Sequence, residues 1–154
     1  MILWNLQTSV FVAFEQKGRA TMLTVTRVLC PTDFSEASYE AIKMAQNIAL
    51  HFSAHLTVVH VVPPVIPLPD AVAAPSFDVH IYEESLHRGM ESKLHSVVTT
   101  MVSNEVVVRP VTLSGRPAET IVEMADKEKA DLIVIATHGM TGWRHYAYGS
   151  VAQK

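Results

Sequence analysis

The chain has 154 residues, of which 49% are hydrophobic and 18% charged, with a formal net charge of −3. That length suits one domain with a substantial core, and that balance excludes a disordered chain. Lys and Arg are scattered rather than striped, which argues against nucleic acid or anionic membrane as partners.

The first stretch, "MILWNLQTSVFVAF", is apolar but broken by Asn5 and Gln7, and no Lys or Arg precedes it. It matches neither a secretory signal nor a membrane span. Residues 1–21 read as an upstream extension outside the core, with Met22 as the start of the pattern. The alternative is an extra strand or docking arm. On the first reading the extension contributes little to the fold.

From Met22 the chain alternates. "TVTRVLC" (24–30) is β-branched and apolar, as a buried strand should be. "PTDFSEAS" is a turn with Asp33 and Ser35 as candidate N-caps. Ala37, Ala41, Ala45, Ile48, Ala49 and Phe52 recur at helical steps and predict a helix over 36–53. "HLTVVHVV" (55–62) is the second strand. Residues 63–76 hold five prolines and read as a long loop. Tyr82, Leu86, Met90, Leu94, Val97 and Met101 predict a helix over 78–102. "EVVVRPVTL" (105–113) is a third strand, near a sheet edge because Pro110 cannot donate to a ladder. "SGRPAETIVEMADKEKA" begins a third helix with Pro117 in its first turn. "DLIVIA" (131–136) is the fourth strand.

This alternation predicts a doubly wound, Rossmann-like α/β/α fold with a parallel sheet. In such sheets ligands settle at the carboxyl ends of strands where the winding reverses. "PTD" (31–33), His60 with Val61, and "ATHG" (136–139) all stand at such ends. Beyond them, "GSVAQK" resembles a helix start with Ser150 as N-cap and outward amides, a ready anion site. Neither a Walker phosphate loop nor a dinucleotide G-x-G-x-x-G is present.

Cys30, the single cysteine, excludes an internal disulfide and any multi-cysteine metal cluster. It suits a cytoplasmic chain and reads as an inert buried thiol. His60 reads as a core-edge histidine. His138 lacks a second ligand at fixed spacing, so no metal site is assigned. Trp143, Tyr146 and Tyr148 read as packing or interface residues.

The order "VLCPTDFSEAS", "HLTVVHV", "SGRPAETIVEMA" and "DLIVIATHGMTGWRHYAYGSVA" resembles the universal stress protein family from Met22 to the last residue. The family's nucleotide-binding branch carries G-x2-G-x9-G-[ST], met here by Ala136, Gly139, Gly149 and Ser150, with alanine in place of the first glycine. The resemblance implies ATP as ligand, with magnesium accompanying it. Asp33 would accept hydrogen bonds from the adenine or ribose side, Pro31 and Thr32 would shape that pocket, and Val61 would pack on the base. Thr137, His138 and Gly139 would lie beside the triphosphate, and Gly149, Ser150 and Val151 would cradle it.

Relatives continue from "GSVA" through a helix into a fifth strand that forms a homodimer contact. Lys154 falls within the first turn of that helix, so the expected domain, 22–154, lacks the last helix and strand. The fourth strand is then expected to have an unpaired edge. Arg144 and His145 are offered near the phosphates without a lysine or a carboxylate pair, so hydrolysis is expected to be slow or absent. The leading expectation is an ATP-binding regulatory module. The alternatives are a non-nucleotide-binding interaction module of the same fold and an enzyme of the adenine-nucleotide α-hydrolase-like group.

Overall fold

A computed structural model describes residues 24–65 and 78–136 in full, together with the backbone of residues 2–5 and 10–14. The elements are strands β1 (Ile2–Asn5), β2 (Val10–Phe14) and β3 (Arg27–Pro31), helix α1 (Glu36–Phe52), strand β4 (His55–Val62), helix α2 (Val79–Met101), strand β5 (Val108–Ser114), helix α3 (Pro117–Glu128) and strand β6 (Leu132–Ala136). The sheet order is β1-β2-β6-β3-β4-β5. Strands β5, β4, β3 and β6 run parallel. The antiparallel hairpin β1–β2 is added beside β6.

Alternation along the strands decides which helix each residue meets. Val28, Cys30, Leu56, Val58, Leu132 and Val134 point to one face, where they bury Ala41, Ile42 and Ala45 of α1 and Leu94 and Val98 of α2. Leu29, Val59 and Val61 point to the other, against Ile121 and Met124 of α3. The small residues of α1 let its backbone lie close to the sheet, while each fully buried leucine contributes roughly 1.5–3 kcal/mol. Cys30 is fully buried, and that burial pushes its thiol pKa up, so it stays protonated and unreactive.

Helix ends follow local chemistry. Ser35 caps α1 by accepting from the Ser38 amide, and Ser53 closes it in the left-handed region. Asp78 caps α2 through the His80 and Ile81 amides. Pro117 opens α3, where its missing N–H costs nothing, and Lys129 ends it at φ 51°. At the amino ends of the strands, Asp131 Oδ2 accepts from Thr26 N (2.8 Å), Thr26 Oγ1 (2.7 Å) and Arg27 N (3.0 Å). These bonds hold its carboxyl below the ordinary value although desolvation opposes them.

Most boundaries fall within three residues of expectation, and β4 coincides with it. The third strand begins at Val108 rather than 105, because Val106 turns back to bond Ser103 O. Pro110 lies in the edge strand β5, as expected. Two expectations are corrected. Residues 1–21 do not stand wholly apart, since Val10–Phe14 pair with β6 from Val10↔Ala136 to Phe14↔Leu132. The edge of β6 is therefore not bare: a β-rich segment, "VFVAF", satisfies its outward amides and carbonyls. Most of the proline-rich loop, and the segment from Thr137 onward, lie outside the described residues.

Candidate functional site

Strands β3 and β6 are parallel neighbours, registered Val28↔Leu132 and Leu29↔Ile133. The chain moves from β3 outward through β4 to β5, then crosses back to β6. The carboxyl ends of β3 and β6 are thus the switch point of the sheet, the place where ligands settle in open α/β sheets.

At the end of β3 the backbone turns sharply. Pro31 is buried and registered with Val59. Thr32, only 6% exposed, has every polar atom engaged. Its N donates to Val59 O (2.9 Å), its Oγ1 pairs with Ser38 Oγ (2.9 Å) and accepts from Phe34 N (3.1 Å), and its carbonyl lies 2.8 Å from His60 Nδ1. Asp33 follows at the exposed rim, with Oδ1 accepting from Ser35 N at 3.0 Å. The helix cap is Ser35, so Asp33 tightens the turn ahead of the cap rather than being it. Phe34 then sits at φ 63°, a left-handed conformation that costs an aromatic residue energy.

Around this turn lies a cluster that sequence reasoning did not assemble. The His60 ring is 4.4 Å from that of Phe34, and Lys93 Nζ of α2 is 4.3 Å from the Phe34 centroid. Desolvation lowers the His60 pKa, with Lys93 adding to it; the Thr32 carbonyl and Asp33 oppose the shift. Thr112, the register partner of His60 on β5, carries a buried hydroxyl with no partner among the described residues. Farther along the same rim, Gly115 holds φ +150° and donates its N–H to Val62 O. An added Cβ there would come within 2.5 Å of Thr120 Oγ1. The quoted segment "SGRP" contained that glycine, but only the fold reveals why it must be one.

The universal stress protein family model matches residues 24–154. The chain belongs to this family. It is 38% identical over 128 residues to universal stress protein MJ0531 of Methanocaldococcus jannaschii, covering 83% of this chain and 74% of that one. A Thermus aquaticus universal stress protein is 34% identical over 127 residues, covering 82% and 88%. Among solved structures, the universal stress protein UspA of Lactobacillus plantarum superposes with a TM-score of 0.64 at 26% identity, covering 86% of this chain and 90% of its own.

Within this universal stress protein fold, Pro31, Thr32 and Asp33 come together with the end of β4. Val61 is buried two residues beyond the backbone partner of Thr32. Ala136 ends β6, half-buried against the α1 side of the core. Thr137, His138, Gly139, Gly149, Ser150 and Val151 lie outside the described residues, as do Arg144 and His145. Among the described residues no group of three or more His, Cys, Asp or Glu could hold a metal ion, and no helix is long and apolar enough to cross a membrane. A groove of about 540 Å³ opens at the opposite, amino-terminal end of the strands, lined in part by Arg27, His55 and Arg109. Arg109 is engaged there by Glu128 at 2.7 Å.

Proposed function

We propose that this universal stress protein domain binds ATP, with magnesium carried on the triphosphate, and serves as a regulatory module of a stress response with slow or no hydrolysis. The observation behind this reading is the built turn at the switch point. Thr32 is pinned on every side, so Asp33 is presented at the rim beside the apolar end of β4. The Asp33 carboxylate, which accepts from Ser35 N, is an acceptor-only group with two oxygens, a chemistry that suits an adenine amino group or a ribose hydroxyl. Val61 supplies an apolar neighbour for the base. The phosphates would lie over the amides from Gly139 to Ser150, since the family motif and the helix start that the sequence predicts at Ser150 both suit an anion. Magnesium would neutralise charge on the phosphates. The absence of a lysine and of a carboxylate pair from that loop's sequence supports binding without efficient turnover.

The same reading puts the module in the cytoplasm and pairs it as a homodimer, which sedimentation can read. Ala136 in place of the motif's first glycine favours one other reading, an interaction module of the same fold that binds no nucleotide.

Calorimetry of the full chain with magnesium-ATP separates the two. Each helix-terminus contact contributes roughly 0.3–1 kcal/mol, so several must act together and a micromolar dissociation constant is expected. Ligand at about 100 times that constant should stabilise the fold by about 2.7 kcal/mol. Gly149→Val should abolish binding by filling the place of a phosphate. No heat and no shift in melting with ATP would leave the interaction module as the reading.

A further inference from the structure

The carbonyl of Thr32 cannot donate, so His60 Nδ1, 2.8 Å away, must carry the proton and donate it. This bond spans 28 residues and ties the end of β4 to the turn after β3. The other Thr32 contacts come from Val59 on the neighbouring strand β4, from Phe34 within the turn and from Ser38 in the first turn of α1. Among the described residues, His60 is the side chain that holds the carbonyl leading into Asp33. It also lies against Phe34, whose left-handed backbone needs an external support to persist. Lys93 closes the stack from α2.

We propose that His60 is a positioning residue for the purine side of the site: its Nδ1–H fixes the Thr32 carbonyl, and its ring braces Phe34, so that Asp33 is presented in one orientation. The proposal rests on the nucleotide reading for its purpose and on the geometry of the turn for its mechanism. Free of that bond, the Thr32–Asp33 peptide could rotate, and a ligand would have to order it on binding.

Two variants divide the roles of the ring. His60→Phe keeps an aromatic ring against Phe34 and removes the donor. His60→Asn supplies a side-chain N–H close to the position of Nδ1 and removes the ring. Amide hydrogen exchange by NMR on the ligand-free full chain reads the turn directly at Phe34 and Ser35, with Val58 and Leu132 as core references. In His60→Phe, exchange at Phe34 and Ser35 should quicken by roughly tenfold, as expected for one net hydrogen bond, while the references stay unchanged. His60→Asn should stay within about threefold of the parent, and the ATP dissociation constant should follow the same order.

Parent-like exchange at Phe34 and Ser35 in His60→Phe would overturn the proposal whatever ATP does. So would equal quickening in both variants, which would assign the effect to ring packing. Equal quickening at Val58 and Leu132 would mean a general loss of stability and would also overturn it. A loosened turn in His60→Phe, with no ATP binding by the parent chain, would instead overturn the nucleotide reading and the purine role with it. The clamp itself would stand.

Discussion

Replacing Thr32 with valine keeps the shape of a buried side chain and deletes one hydroxyl. In the parent fold that oxygen accepts from Phe34 N at 3.1 Å and pairs with Ser38 Oγ at 2.9 Å. Ser38 would keep its bond to Ser35 O at 2.8 Å, so its hydroxyl stays satisfied. The Phe34 N–H would not. A partly buried donor left without a partner costs about 1–2 kcal/mol, and the lost Ser38 contact adds about 0.5 kcal/mol. The sum, about 2 kcal/mol, should lower the melting temperature by roughly 4–8 °C for a chain of this size. Urea unfolding should show a lower midpoint with an unchanged slope. Thr32→Ser, which keeps the oxygen, should cost less than half as much. A loss under about 0.5 kcal/mol in Thr32→Val, within the range of an ordinary surface substitution, would refute the view that Thr32 braces the turn.

Gly115→Ala should destabilise by roughly 1–3 kcal/mol, because alanine is strained at φ +150° and its methyl meets Thr120 Oγ1; adding Thr120→Ala should recover only part of it, and a neutral Gly115→Ala in a melting scan would contradict this. A chain starting at Met22 bares the β6 edge that Val10–Phe14 cover, so light scattering should detect concentration-dependent association beyond that of the full chain; the same mass as the full chain at every concentration would show the hairpin to be dispensable. Acidification should weaken the fold in two steps. His60 has a lowered folded pKa, so its contribution is complete above about pH 6.5 and is lost as pH falls from there through the folded value. Asp131, also lowered, loses its contribution below the ordinary carboxylate range, and His60→Phe should remove the first step from the pH profile of stability and leave the second.

The sequence by itself determined the alternating order of strands and helices, since a buried strand and an amphipathic helix each carry a period that a neighbour cannot mask. It placed β4 at residues 55–62 and Pro110 on an edge strand. It gathered Pro31, Thr32, Asp33 and Val61 at strand ends, because the carboxyl ends of parallel strands share one rim. The loop motif from Thr137 to Val151 was equally legible as a pattern, although its residues lie beyond those described. Only the tertiary structure decided which contacts cross between elements. It alone put Val10–Phe14 on β6, brought Asp131 to Thr26 across 105 positions, and set His60 under the Thr32 carbonyl. Periodicity records which face of an element is apolar, not which element will meet it or in what register. A hydrogen bond between distant residues depends on that register, and packing of both faces of the sheet sets it.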